Sequence, residues 1–460
     1  MRFDEDTIAA ISTAMAPSGI GIVRISGRDA VSIADNIYHS PNKKKKLSGQ
    51  PSHTIHYGWI KDGETSIDEV LVMLMRGPHT YTGEDTVEIN CHGGIISERK
   101  VLETALKYGA RPAEPGEFTK RAFLSGRIDL SQAEAVMDVI SAKNDYALKS
   151  SLGQLKGSML DKIKDIRSAI LYEDAFIESA LDDPEHINID GYGSKLKRIV
   201  DEQINKIDKL LSTAEEGKMI QEGIKTVIDG NPNVGKSSLL NLLIGEEKAI
   251  VTDVAGTTRD ILEETINLRG ISLKMLDTAG IRDASDKVEQ IGVDRAKKHA
   301  KDADLVLYVI DSNVPMDDND RKIIELIRGK KVIVLLNKSD LESVVDKEEI
   351  EGQIKAPVLS VSAKKGFGLT ELENTIKKLF FNGDLSFNDE VYITNERHKR
   401  SLQDTRKSLC FVEDSIRMNM PEDFFTIDLM NAYESLGEIT GESVGEDLVD
   451  EIFSKFCTGK

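Results

Sequence analysis

Little cysteine, no long apolar run and no excess of positive charge mark this sequence before any motif does. Its three cysteines, Cys91, Cys410 and Cys457, stand far apart in 460 residues. That spacing excludes both a disulfide framework and a C-x-x-C zinc site, and it suits a reducing cytosol. No run of about 18 apolar residues occurs, so no membrane span is expected. The first residues, Met1-Arg2-Phe3-Asp4-Glu5-Asp6, are acidic and lack the basic-then-apolar layout of a secretory signal. A cytoplasmic location is therefore expected. Against 60 lysines and arginines stand 79 aspartates and glutamates, a net charge of −19. Such a balance argues against coating nucleic acid by bulk electrostatics, although a local basic face stays open. What is present, 40% hydrophobic and 30% charged residues, is ordinary for a globular protein in water. The length suits roughly two to four domains.

Residues 1–118 read as a compact α+β unit. Ile8-Ala9-Ala10-Ile11-Ser12 and Gly21-Ile22-Val23-Arg24-Ile25 are strand-like, with Pro17-Ser18-Gly19 turning between them. Val70 to Met75 and Thr86 to Asn90 are two more strands, joined through Tyr81-Thr82-Gly83-Glu84-Asp85. Cys91-His92-Gly93-Gly94 leads into a helix, and His92, with no second ligand at useful spacing, reads as part of a turn. The run Lys43-Lys44-Lys45-Lys46 reads as a solvated loop. From 119 to 219 the pattern turns helical. Ser131-Gln132-Ala133-Glu134 reads as a capping box, and Met159, Ile163, Ile166 and Ile170 recur at helical steps, as do Leu196, Val200 and Ile207. Residues 220–378 alternate strands with helices, which implies a mostly parallel sheet covered on both faces. Residues 379–460 are helical again, with Cys410 expected in their core. Helices on both sides imply that the α/β domain is inserted into an all-α domain.

The most specific stretch is Gly230-Asn231-Pro232-Asn233-Val234-Gly235-Lys236-Ser237-Ser238, which matches the phosphate-loop pattern G-x-x-x-x-G-K-[ST]. Its glycines let successive N–H groups turn inward around a phosphate chain. Lys236 is expected to reach the outer phosphates and Ser237 to give a hydroxyl to Mg2+. A β-branched run, Ile224 to Ile228, precedes the loop and a helical run follows it, so the helix dipole also favours phosphate. Asp277-Thr278-Ala279-Gly280 follows another strand, where an aspartate can hold Mg2+ through water and a glycine N–H can approach the terminal phosphate. Asn337-Lys338-Ser339-Asp340 comes next; Asp340 can accept two bonds from the guanine edge, a donor pair that adenine lacks. Ser362-Ala363-Lys364 would add backbone contact to the guanine oxygen. Four short motifs in order, each at the C-terminal end of a predicted strand, define a guanine-nucleotide switch. Ile281 stands where Ras-like enzymes carry a water-orienting glutamine, so hydrolysis needs another positioning group and another positive charge.

Thr252-Asp253-Val254-Ala255-Gly256-Thr257-Thr258-Arg259-Asp260 resembles the switch loop of the TrmE-Era-EngA class of GTPases. In its potassium-activated members an asparagine of the phosphate loop and backbone oxygens of this switch hold K+. The resemblance carries those roles to Asn233, Thr252, Val254 and Thr257, and gives Thr258 the second hydroxyl on Mg2+. The whole chain resembles the MnmE (TrmE) family of tRNA modification GTPases. The segments that carry this are Asp4 to Arg24, Tyr81 to Asp85, Cys91 to Gly94, Pro115-Gly116-Glu117-Phe118-Thr119 and the terminal Cys457-Thr458-Gly459-Lys460. The tail departs from the pattern at Thr458, where the family has an aliphatic residue.

The resemblance implies a multidomain fold: an α+β N-terminal folate-binding and dimerisation domain, an all-α helical domain, and an inserted α/β Ras-like P-loop domain. It places the water-positioning acid at Glu289, in the segment Ala284 to Glu289, and the folate contacts at Arg24, Glu88, Arg127 and Lys460. Cys457 would bring a thiol beside that folate. The implied ligands are GTP, Mg2+, K+ and 5,10-methylene-tetrahydrofolate, with the 5-formyl form as a bound analogue. The implied partners are a second copy of the chain, tRNA, and a flavin-dependent protein, MnmG, in a heterotetramer. The implied reaction adds an aminomethyl or carboxymethylaminomethyl group at C5 of the wobble uridine. Two other readings stay open. One is a ribosome-assembly GTPase like Era or EngA, but no G-x-x-G loop in a KH-type setting is seen. The other is a nucleotide switch whose N-terminal domain only dimerises.

Overall fold

The computed structural model describes residues 6–42, 44–189, 191–246, 264–276, 302–381 and 391–459. These form two compact units, one of Met1–Met137, Gln154–Ile204 and Ser401–Lys460, the other of Asp138–Gly153 and Asn205–Arg400. Among the described residues no helix is long and apolar enough to cross a membrane.

The first unit begins with strands β1 (Ile8–Ile11), β2 (Gly21–Ser26), β3 (Tyr38–His39), β4 (Thr54–Asp62), β5 (Thr65–Met75), β6 (Thr86–Cys91) and β7 (Arg111–Pro112). They make one sheet in the order β3-β4-β5-β6-β2-β1-β7. Helices α1 (Ala30–Ile37) and α2 (Ile95–Lys107) cover one face. Strand alternation sends Val70, Val72 and Leu74 of β5 into that core, together with Val23, Ile25, Val87 and Ile89. The opposite face leaves Ile55, Tyr57 and Leu71 exposed, with Tyr57 and Leu71 directly paired across β4 and β5. β4 is legible only weakly from the sequence, because Thr54–Asp62 mixes polar residues and Gly58 into its alternation.

The helices that follow are α3 (Glu117–Leu124), α4 (Leu130–Ser141), α5 (Asp145–Leu155), α6 (Ser158–Asp182), α7 (Tyr192–Ser212) and α8 (Ala214–Glu222). The N-terminal cap of α4 lies two residues before the box expected at Ser131. Asp129 accepts from the Gln132 N–H at 3.1 Å, and the Gln132 side chain accepts from the Asp129 N–H at 3.0 Å. The reciprocal pattern is Asp129-Leu130-Ser131-Gln132, and Ser131, fully buried, instead donates to Asp129.

The second unit holds β8 (Ile224–Asp229), α9 (Lys236–Glu246), β9 (Glu264–Leu268), β10 (Ile271–Met275), β11 (Leu305–Asp311), α10 (Asp318–Ile327), β12 (Val332–Asn337), α11 (Lys347–Ile354), β13 (Val358–Ser360) and α12 (Leu369–Phe380). Its sheet runs β13-β12-β11-β8-β10-β9, parallel throughout except for the antiparallel β9–β10 pair. Apolar clusters line both faces, so β11 and β12 read as unbroken hydrophobic runs rather than alternating ones. The chain closes with α13 (Glu396–Arg417), α14 (Asp423–Thr440) and α15 (Glu446–Ser454). Cys410, on α13, is half-buried rather than a core residue, while Cys91 is buried and Cys457 exposed.

Gly217, inside α8, offers a test in which packing opposes propensity. Alanine favours a helix over glycine by about 1 kcal/mol. Here an added Cβ would stand 2.3 Å from the Ile393 carbonyl oxygen. Gly217→Ala is therefore expected to lower stability by about 1–3 kcal/mol. A thermal midpoint at or above that of the wild type would contradict the packing.

Candidate functional site

The phosphate loop leaves the C-terminal end of β8 and enters α9. Asn233 sits at φ 64° and Gly235 at φ 98°, both left-handed. A Cβ at Gly235 would stand 2.2 Å from the Asn337 side-chain nitrogen, so only glycine lets β12 come this close. Asn337 uses that proximity. Its amide donates to the Val234 carbonyl at 2.8 Å and accepts from the Ala363 N–H at 3.0 Å. One buried side chain thus fastens the loop after β8 to the loops after β12 and β13.

Lys236 donates to the carbonyls of Gly230 at 2.6 Å and Asn231 at 2.7 Å. Burial pushes its pKa down, against the pull of nearby Asp229, so the ammonium is poorly solvated where it rests. An anion in front of the loop would offer it a better partner than two carbonyls. Ser237 and Ser238 open α9 with exposed side chains, and Val234 is buried beneath the loop. At the base-recognition motif, Asp340 accepts from Ser362 Oγ at 2.6 Å, a bond that holds its carboxyl below the usual range. Lys338, at φ 63°, donates to Asp311 at 2.5 Å. A cleft of about 430 Å3 lies beside Asp340, lined also by Ser312, Leu336, Ser339, Ser362 and Lys365. Lys364 is exposed next to it. Sequence reasoning did not single out Asp311, because its role shows only once the end of β11 is aligned with that of β12. Thr252, Asp253, Val254, Ala255, Gly256, Thr257, Thr258, Asp277, Thr278, Ala279, Gly280, Glu289 and Lys460 lie outside the described residues.

A second cluster forms at the N-terminal sheet. Arg24 and Glu88 are directly opposite in the β2–β6 register, and Arg24 Nε donates to Glu88 at 2.8 Å. The Arg24 guanidinium lies 5.5 Å from the centres of both the Tyr81 and Phe118 rings, and that of Arg127 lies 5.0 Å from the Tyr81 ring. Arg127 also donates to the Tyr81 carbonyl at 2.9 Å. The C-terminal tail reaches the same place. The Gly459 carbonyl accepts from Ser12 Oγ at 3.1 Å and from Arg24 at 3.4 Å, and Thr458 bridges Pro115. Gly459 sits at φ 95°, with the Ile11 carbonyl oxygen only 2.2 Å from where a Cβ would stand. The Phe453–Phe456 pair on Phe123 and Leu130 secures α15, from which this tail extends. Arg24, Glu88 and Arg127 therefore converge, and Cys457 is exposed on the tail two residues before Gly459. Tyr81, the ring shared by both arginines, escaped the sequence reading, since its motif gives no sign of which residue faces inward.

Behind Tyr81 lies a charged lattice. Arg121, 4% exposed, donates to Asp6 Oδ1 and Glu117 Oε1 at 2.9 Å and to Glu84 Oε1 at 3.0 Å. Arg111 adds bonds to Asp6 at 2.6 Å and Glu117 at 2.7 Å. Burial raises the Glu117 pKa, but Arg111, the Glu114 N–H and Arg121 outweigh it and hold the carboxyl low. A depressed folded pKa stabilises the fold above the unfolded value and loses that contribution as pH falls through the folded one. Stability of the first unit is thus expected to fall as pH drops below about 4.3, the ordinary glutamate value. Glu117→Gln should flatten that part of a melting-midpoint-against-pH curve, and an equally steep decline would refute the assignment.

A strand, glycine loop and helix, with an Asn-Lys-x-Asp and a Ser-Ala-Lys loop at neighbouring strand ends, define a P-loop GTPase. Two family models cover nearly all of the chain: "GTP-binding protein TrmE N-terminus" matches residues 7–127 and "MnmE helical domain" residues 130–457. A protein of Lachnoclostridium phytofermentans is 57% identical over 455 residues, 99% of each chain. One of Bacillus pumilus is 48% identical over 462 residues, and one of Staphylococcus epidermidis 48% over 465, each spanning 99% of this chain and 100% of the relative. All three carry the name tRNA modification GTPase MnmE. This chain belongs to the MnmE family of tRNA modification GTPases.

Proposed function

We propose that this protein is a cytoplasmic, potassium-dependent GTPase that modifies C5 of the wobble uridine of certain tRNAs together with a flavin-dependent partner of the MnmG type. Similarity to tRNA modification GTPases over 99% of the chain carries the reading. Lys236 would leave the Gly230 and Asn231 carbonyls for the outer phosphates of GTP. Ser237 and Thr258 would hold Mg2+, with Asp277 reaching it through water, and Asp340 would select guanine. Asn233, exposed on a left-handed turn of the loop, is suited to hold K+ with Thr252, Val254 and Thr257. When bound, that ion would supply the positive charge that an arginine gives in other GTPases. Glu289 would orient the attacking water, the role that Ile281 is unable to fill.

The N-terminal cluster fits a reduced folate in donor chemistry. Glu88 can accept from paired donors on a pterin edge, while Arg127 and Lys460 can hold an anionic glutamate tail. Arg24 holds Glu88 in place through their 2.8 Å ion pair. Methylene-tetrahydrofolate would supply the carbon, and Cys457 would bring its thiol to that site. The exposed apolar row Ile55, Tyr57 and Leu71 supports a homodimer through this sheet. Hydrolysis would then drive approach of the two nucleotide domains across the dimer, with the helices carrying that motion. With a net charge of −19, the partner would provide much of the tRNA-binding surface.

Mass spectrometry of digested tRNA from cells with and without the gene tests the chemistry. The C5-modified wobble uridine should disappear, and return with the intact gene but not with an Asp277→Ala copy. Unchanged nucleosides would sink the modification reading and redirect the search to the ribosome. A separate binding measurement addresses the folate. Removal of Cys457 to Lys460 should weaken 5-formyl-tetrahydrofolate binding at least about ten-fold. Equal affinity would remove the tail from the site and favour an N-terminal domain that only dimerises.

A further inference from the structure

Asn231 occupies a variable position of the phosphate-loop pattern, and the roles described so far use only its backbone. Its side chain makes two bonds outside the loop. The amide nitrogen donates to Asp317 Oδ1 at 3.1 Å, and the amide oxygen accepts from the Asn319 side chain at 2.5 Å. The orientation is forced: an ionised carboxylate only accepts, so the nitrogen must face Asp317, which leaves the oxygen for Asn319. We propose that Asn231 is a positioning residue that fixes the phosphate loop to the N-terminus of α10 and so sets how tightly the loop holds guanine nucleotide.

The anchor on the far side is rigid. Asp317 caps α10 by accepting from the Asp320 N–H at 2.8 Å, and Asp320 returns the bond to the Asp317 N–H at 3.2 Å. Asp320 in turn accepts from the hydroxyl of Tyr308, a fully buried residue of β11, at 2.7 Å. A path of hydrogen bonds therefore runs from the sheet core, through the helix cap, to the outer arm of the loop. The inner arm has its own fastening, Asn337 on the Val234 carbonyl. Between the two arms lies Asn233, exposed at φ 64°.

The two arms differ in what nucleotide does to them. Lys236 ties down the outer arm through the Gly230 and Asn231 carbonyls. When the ammonium turns to phosphate, its hold on those carbonyls would loosen. The Asn231 side chain still joins the outer arm to α10. Without it the loop N–H groups would be free to splay, and converged donors are what hold a phosphate chain. The loss should appear in nucleotide retention more than in turnover.

The test uses the full chain, a fluorescent GDP analogue to read dissociation, and steady-state GTP hydrolysis. Asn231→Ala should raise the dissociation rate and the KM for GTP about five-fold, the size of one lost hydrogen-bonded link, with less change in kcat. Asn231→Asp sets a carboxylate against Asp317 and should do more damage. Pairing it with Asp317→Asn removes the facing charge and should recover part of the loss. Recovery is incomplete because Asp317 Oδ1 serves both Asn231 and the Asp320 N–H, and an amide nitrogen turned to the new carboxylate gives up that cap. Wild-type dissociation in Asn231→Ala would overturn the inference. So would a double variant that releases nucleotide as fast as Asn231→Asp alone. A melting midpoint measured on each variant separates retention from stability, since a merely structural residue would give faster release that follows the midpoint and resists rescue.

Discussion

The nucleotide site depends on one buried amide. Asn337, 2% exposed, uses its nitrogen on the Val234 carbonyl and its oxygen on the Ala363 N–H. Three loops that come from separate strands are thereby held in one constellation. A carboxylate would repel the carbonyl, and an alkyl group would leave a buried donor and a buried acceptor unpaired. Gly235 is bound to the same requirement, because any Cβ there would push the amide away. The phosphate and base ends of the site therefore share a part. The loop that wraps phosphate and the loop that reads guanine are not positioned independently.

The N-terminal sheet solves a different problem, that of keeping two cations and an acid close together near solvent. Arg24 and Arg127 both approach the Tyr81 ring, an arrangement that costs Coulomb energy unless the ring and nearby acceptors offset it. Glu88 answers Arg24, and the Tyr81 carbonyl answers Arg127. The tail carbonyl at Gly459 adds a further acceptor to Arg24. The lattice of Asp6, Arg111, Glu117 and Arg121 sits behind, and Glu84 joins it to the Tyr81 loop. The two guanidinium groups at this aromatic ring are thereby braced from below.

The sequence was most legible where backbone geometry dictates residue type. A loop that wraps phosphate needs its glycines and lysine at fixed offsets, and β11 and β12 are apolar on both faces, so motif and strand announce each other. Legibility fell where the answer depends on register. Nothing local says that Arg24 faces Glu88 across 64 residues, or that Ser12 meets Gly459 across 447. β4 was missed because Gly58 and its polar neighbours blur the alternation, although an added Cβ there would meet the Tyr38 ring at 2.4 Å. β9 was missed because Glu264–Leu268 is short and reads as a strand only once paired with β10. The α4 cap was misplaced by two residues because Asp129 and Ser131 both suit the position, and only the burial of Ser131 decides between them.

Asn144 extends the lesson of Asn337 away from the nucleotide. It is 8% exposed, donates to Ser272 Oγ at 2.7 Å and to the Ile220 carbonyl at 3.2 Å, and accepts from the Ala147 N–H at 2.7 Å. It thus starts α5 as a cap while gripping the start of β10 and the end of α8. An aspartate could cap as well, but it would have nothing to donate to the Ile220 carbonyl. A serine is too short to serve all three neighbours. The residue that satisfies every partner is one with a donor and an acceptor at opposite corners of a rigid plane. The second unit places that residue type at both of these buried crossings, and at the half-buried Asn231. Each time the amide joins segments that the hydrophobic core brings near but does not orient. Apolar packing is non-directional, so it can set which strands and helices meet. The angle at which loops face a ligand has to come from bonds with direction, and here the side-chain amides supply them.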